Sequence, residues 1–424
     1  MPDYFDYAKG YSSAANLLIK SVLDAEGLEY SVDQFIYPIC FNMRHSIELR
    51  LKGVVSFLEK ISKHREALED FDLKASHDLG RIWCYIKRES IKLDKRFVFF
   101  VTVLDQRLFD VSSVDPTGQT FRYPVDRNNS KHLVEVSIIN VSNLYRKFSS
   151  LECILDNFEV FCDELVREYD FETHTTKLSR AELLSIAEDI PRRDDWGSEK
   201  FKIFKKDTML NYGLSSNDFN RAVAKIESHY GASPVLDSPS LKYIDISILH
   251  AFFEAWCYKS DIVNTRNDKF KEPEVWGFES SNDFLDVMRR EAEKDKVVWG
   301  ILEGAISIEG LVGLLALYDC HGSGYSEEYL KYLDYNERDL LVNVEEGSPG
   351  HQYKVLKLVS KPRAGEFILR AIFLLGHHAL AEEIIGTHNL AGCFDWLDKA
   401  RSRELFIEPY KSILAKTLQS CSLG

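Results

Sequence analysis

The apolar positions of this chain recur at helical spacing along most of its length. From Tyr7 to Leu23, Tyr11, Ala14, Leu17, Leu18 and Val22 mark one helix face, and Gly27 is placed to end the run. A longer helix is predicted from about Val32 to about Lys63, with Pro38 near its first turns and Phe35, Ile39, Met43, Ile47, Val54, Phe57, Leu58 and Ile61 facing inward. Ser76 can cap a third helix carrying Leu79, Ile82, Trp83 and Ile86, because its hydroxyl can accept a backbone N–H that has no partner inside the helix. A fourth helix covers Phe97 to Leu108.

The pattern changes at Asp115. Asp115-Pro116-Thr117-Gly118 has turn chemistry, Phe121 to Val125 reads as a short strand, Asp126 to Lys131 as a turn and Leu133 to Ile139 as a partly alternating strand. A small β-hairpin near 119–140 within a helical bundle is therefore predicted. Val141, Leu144, Tyr145, Phe148, Leu151, Leu155, Phe158, Phe161, Cys162 and Leu165 then form the apolar face of a long helix that closes the bundle. The polar stretch from Glu172 to Lys177 ends a first domain at 1–172. Helical patterns resume in a module over 178–262, and the polar, Pro273-containing stretch from Asn264 to Glu274 separates it from a C-terminal helical domain over 276–424. The predicted fold is mainly α: an N-terminal helical bundle with a small hairpin, followed by one or two helical domains.

Composition is that of a globular chain, 45% hydrophobic and 28% charged with only 11 prolines, which argues against broad disorder. The formal net charge of −14 excludes a protein that coats nucleic acid by general phosphate attraction, so any nucleic-acid contact must be local. Eight scattered cysteines without a Cys-x-x-Cys pair read as free thiols of a reducing compartment. With no leader-like N-terminus and no apolar run of about 18 residues, a cytoplasmic protein without membrane contact is predicted.

The second helix carries an unusual stripe. At about 3.6 residues per turn, Arg44, Glu48 and Lys52 share one face of an otherwise apolar helix, and such charges need partners. His45 beside them, the helix start His77-Asp78-Leu79, and Arg122 and Tyr123 in Phe121-Arg122-Tyr123-Pro124 can supply a single cluster. Two readings follow. The cluster can be a satisfied network tying the hairpin to the helices, since buried charges must be paired. Alternatively, its arginines hold a phosphate and a histidine transfers protons.

These three strings, in this order, resemble the HEPN superfamily of helical nucleotide-binding and RNase domains of bacterial defence and toxin–antitoxin systems, over roughly the first 170 residues. The resemblance implies a bundle that pairs as a homodimer and binds RNA or a nucleotide. In Arg127-Asn128-Asn129-Ser130-Lys131-His132, the Arg-x4-His spacing matches the pattern tied to metal-independent endoribonuclease activity in that superfamily. Arg127 and His132, with His77 and Arg44, are the candidate catalytic residues; His45, Glu48, Asp78, Arg122 and Tyr123 are candidate substrate contacts. Arg127 to His132 also reads as a solvated turn, because the next helix starts about ten residues later.

Asp319-Cys320-His321 and Gly376-His377-His378 lack partners at metal-ligand spacing, so neither a metal nor another cofactor is predicted. Leu178 to Leu183 and Gly213 to Phe219 read as capped helices with a glycine turn, either a helix-turn-helix for DNA or simply two helices, with Arg221 and Lys225 as the only cations of the second. Three function classes remain. The first is an RNA-binding, RNA-cleaving protein of a defence or toxin type; the second is a non-catalytic binding or scaffolding protein whose C-terminal helices hold a protein partner; the third, with less behind it, is a DNA-binding regulator acting through residues 178–230.

Overall fold

A computed structural model of the chain describes residues 2–24, 32–73, 76–125, 138–260, 262, 281–322 and 324–422. Among the described residues every regular element is a helix, and none of these helices is long and apolar enough to cross a membrane. The chain forms two compact units, Met1–Arg180 with Pro409–Gly424, and Ala181–Glu408.

The first unit contains α1 (Tyr4–Asp24), α2 (Val32–Ser62), α3 (Leu79–Leu93), α4 (Phe97–Val114), α5 (Val141–Asp170) and, from the end of the chain, α17 (Pro409–Ser422). Its core holds Ile39, Met43, Ile47, Val54, Leu58 and Ile61 of α2, as the spacing requires. Against them pack Phe97 and Phe100 of α4 and Phe158 and Phe161 of α5, all fully buried. Phe100 stacks on Phe158 at 4.8 Å, and Phe97 meets Phe161 edge to face at 5.4 Å. Such aromatic pairs add about 0.5–1.5 kcal/mol each beyond burial. Helix α1 approaches α2 closely because Gly53 has no side chain, a Cβ there falling 2.4 Å from the Phe5 ring.

Three details differ from the sequence reading. Helix α3 is capped by Asp78, whose carboxylate accepts the Arg81 N–H at 3.0 Å, and not by Ser76, whose hydroxyl is buried with no hydrogen-bond partner among the described residues. The helix starts later because the His77 carbonyl is bound by a side chain of α2. Second, Phe121 and Arg122 belong to a turn, not to a strand: the N–H groups of Arg122 and Tyr123 both donate to Gln119 O at 3.1 Å. Gly118, at φ +77°, and the Thr120 N–H, held by Asp115 Oδ1 at 3.2 Å, fold the backbone there. The remainder of the expected hairpin, residues 126–137, lies outside the described residues. Third, α17 packs on α5 and adds Ile413 to the core of the first unit, although the sequence placed it in a C-terminal domain.

The second unit begins with α6 (Arg180–Asp189), α7 (Glu199–Tyr212) and α8 (Ser216–Glu227), gathered around Ile190, Phe219 and Val223. Gly213, in the left-handed region at φ +63°, joins α7 to α8, and Ser215 and Asp218 cap α8 reciprocally. Then follow α9 (Ile246–Ser260), α10 (Ser281–Leu302), α11 (Ile308–Cys320), α12 (Glu328–Asn343), α13 (Pro349–Val359), α14 (Ala364–Leu374), α15 (His378–Thr387) and α16 (Leu397–Arg401). They share a second core built on Phe252, Phe253, Trp256, Leu314, Leu317, Ile368 and Leu369.

Candidate functional site

Arg44 and Glu48 lie one turn apart on α2 and pair directly. The guanidinium is 3% exposed and uses all three of its nitrogens inside the protein. Nε donates to Asp115 O at 3.2 Å, Nη1 to Glu48, and Nη2 to His77 O and, at 2.9 Å, to Pro116 O. One side chain of α2 thereby fastens the segment before α3 to the segment after α4. Those segments also bond to each other, Leu79 N–H donating to Pro116 O at 3.1 Å. Gly118 lets the backbone lie on the guanidinium, since a Cβ there would be 3.1 Å from Arg44 Nη1.

Glu48 is equally enclosed, and its Oε1 accepts Lys52 Nζ and His77 Nδ1, each at 2.9 Å. Burial alone would raise its pKa, but the hydrogen bonds from Lys52 and His77 and the charge of Arg44 hold it below the usual glutamate range. His77 has a 62% exposed side chain. With Nδ1 turned to a carboxylate, Nε2 is the ring nitrogen that Glu48 does not use. The arrangement couples an accessible imidazole to a buried carboxylate that fixes its tautomer.

His45 borders the same carboxylate, its Nδ1 lying 4.0 Å from Glu48 Oε2. It stacks on Phe41 with ring centroids 5.6 Å apart and meets Tyr11 edge to face at 4.5 Å. Burial lowers its pKa, the Glu48 charge acting against the shift and Arg44 and Lys52 adding to it. Arg122 lies over the same Phe41 ring at 5.7 Å and over Tyr123 at 5.3 Å, and both Arg122 and Tyr123 are exposed. They adjoin the cluster through Phe41 and, among the described residues, make no hydrogen bond to Arg44, Glu48 or His77. Asp78 is committed to capping α3. Arg127 and His132 lie outside the described residues.

Two contributors were not legible beforehand. Asp115 and Pro116 read as turn residues, yet their carbonyl oxygens are the Arg44 acceptors, and no side-chain pattern announces a backbone acceptor. A second buried charge cluster is also new: Arg96 bonds Asp94 at 2.9 Å and Glu168 at 2.7 Å, and the Tyr169 hydroxyl donates to Asp94 Oδ2 at 3.0 Å. It ties α5 to the turn between α3 and α4. Elsewhere, His321 stacks on Phe367 and His377 Nε2 lies 3.0 Å from Pro239 O. Among the described residues no group of three His, Cys, Asp or Glu side chains is placed to hold a metal ion.

No protein-family model, curated protein or solved structure matches the chain.

Proposed function

We propose that the first unit is a HEPN-like module that binds RNA or a nucleotide without cutting it, with Arg44, Glu48, Lys52 and His77 as a structural lock. The observation that carries this is the internal use of the Arg44 guanidinium: four of its five N–H groups donate within the protein and its side chain is 4% exposed, so it presents no free fork to a phosphate. Lys52 is likewise buried against Glu48. Cleavage needs a group that stabilises charge on the phosphorane, and neither cation of the lock is free to do so. The exposed face offers recognition instead. Arg122 and Tyr123 make a planar, cationic and aromatic surface beside Phe41, the chemistry on which unpaired bases stack. Pairing of two bundles about a two-fold axis, as in the superfamily, belongs to this proposal. For the second unit, exposed Leu330, Tyr335, Leu341 and Val342 on α12 support a protein partner.

A second reading is favoured by one observation, the exposed His77 imidazole held by buried Glu48. In that reading the protein is a metal-independent endoribonuclease. His77 or His132 removes the proton of a 2′-hydroxyl, the 2′-oxygen bonds to phosphorus, and the 5′-oxygen leaves with a proton, producing a 2′,3′-cyclic phosphate. Arg127 would face the phosphate.

A labelled single-stranded RNA separates the two. In chelator, the wild type is expected to raise the anisotropy of the RNA and leave it uncut, and Arg122→Ala and Tyr123→Ala should each weaken binding by about tenfold, the scale of one lost base stack. Cleavage in chelator that disappears in His77→Ala or His132→Ala would replace this reading with the nuclease.

A further inference from the structure

A cavity of about 520 Å³ opens between α2, α4 and α5; Arg44 lines it, and Glu48 and His77 do not. This volume is in the range of sites that enclose a small organic molecule, about 300–1,000 Å³. Its walls are apolar, with Met43 and Ile47 from α2, Val111 from α4, and Leu144, Phe148 and Leu151 from α5. Five charged residues also line it: Arg44, Arg107, Asp110, Asp115 and Lys147.

Two buried polar atoms in these walls lack hydrogen-bond partners among the described residues: Asp115 Oδ2 and Ser150 Oγ. Asp115 is 1% exposed. Its Oδ1 accepts the Thr120 N–H, while Oδ2 lies 3.8 Å from Arg44 Nε, which donates instead to the Asp115 carbonyl. A buried carboxylate oxygen without a donor is unfavourable, and in a largely apolar cavity it marks where a ligand donor fits. The charge of that donor follows from its surroundings. Arg44 and Lys52 already balance Glu48 and Asp115, and of the other charged residues in the wall Arg107 and Lys147 outnumber Asp110, which disfavours a further cation. Cys40, also in the wall, is no nucleophile here, because burial and the Asp115 charge push its thiol up to about 12.

We infer that this cavity binds a small amphiphile with an apolar body and, at its inner end, a neutral hydroxyl or amide N–H that donates to Asp115 Oδ2. The inference does not depend on RNA binding, which concerns the exposed Arg122 and Tyr123 face.

Calorimetric titration of the full chain with 1-naphthol and 1-methoxynaphthalene tests it, because the two share an apolar body while only the first donates a hydrogen bond. Saturable binding of 1-naphthol, at least about tenfold tighter than that of 1-methoxynaphthalene, is expected for a hydrogen bond to a charged acceptor. Leu144→Trp should fill the cavity and abolish binding of both probes. In Asp115→Asn, where the Thr120 N–H keeps the amide oxygen inward, the free position becomes an N–H₂ donor that either probe's oxygen can accept, and the preference for 1-naphthol should be lost. Equal affinities of the two probes for the wild type would overturn the inference. So would binding that survives Leu144→Trp, or no saturable binding of either probe, which would leave Asp115 Oδ2 served by water only.

Discussion

At the scale of residues, Arg44 and His77 are neighbours in one network with opposite exposure. Removing one member of a buried pair strands the other, at a cost of about 3–5 kcal/mol, so Arg44→Ala should destabilise the first unit by that order in denaturant titrations. Arg44→Lys should rescue little of the loss, because an ammonium cannot reach Asp115, Pro116, His77 and Glu48 together. His77→Ala should cost less than about 1 kcal/mol, since the imidazole is mostly solvated and Glu48 keeps two cationic partners. Glu48 also sets a pH dependence. Its folded-state pKa is depressed below the ordinary 4.5, so its contribution is complete above that value and is lost as pH falls through the lower, folded-state pKa. Stability of the first unit measured from pH 6 to pH 3 should decline less steeply in Glu48→Gln than in the wild type. The Arg44, Glu48 and Lys52 stripe was readable because charges on an apolar helix stand out. The role of Asp115 was not, because it acts largely through its backbone.

At the scale of elements, the long helices were legible from their apolar spacing, and their ends were not. Ser76 and Asp78 are both competent caps by composition, and the choice between them is made by Arg44 gripping the His77 carbonyl, a tertiary contact. Asp78→Ala should therefore cost about 1 kcal/mol and Ser76→Ala much less, as read from denaturation midpoints of the two variants. The segment after α4 shows the same limit. Phe121 to Val125 has the composition of a strand, but the Asp115 carboxylate and the positive φ of Gly118 turn the chain before a strand can run. Gly118→Ala combines a strained backbone with a Cβ about 3.1 Å from Arg44 Nη1, and it should destabilise the same unit as Arg44→Ala without adding fully to it.

At the scale of the whole molecule, sequence spacing shows which face of a helix is apolar but not which core receives it. Helix α17 is the case in point: Ile413 is buried in the first unit, Tyr410 lies under the Arg96 guanidinium at 4.7 Å and Cys153 Sγ is 3.2 Å from Ser420 Oγ. A chain ending at Glu408 should lose at least about 2 kcal/mol from the first unit, the scale of one buried aliphatic side chain, while amide exchange within 246–400 stays as in the full chain. With two units, a single melting temperature is not a well-defined stability, so the role of Arg44 has to be read segment by segment. The measurement is amide hydrogen exchange of the full chain as wild type and Arg44→Ala. If Arg44 is a lock, exchange should rise together at Leu79, whose N–H is bound to Pro116 O, and at Thr120, whose N–H is bound to Asp115. Unchanged exchange at both positions, with RNA binding or cleavage lost in the same variant, would contradict the lock and make Arg44 a ligand-facing residue.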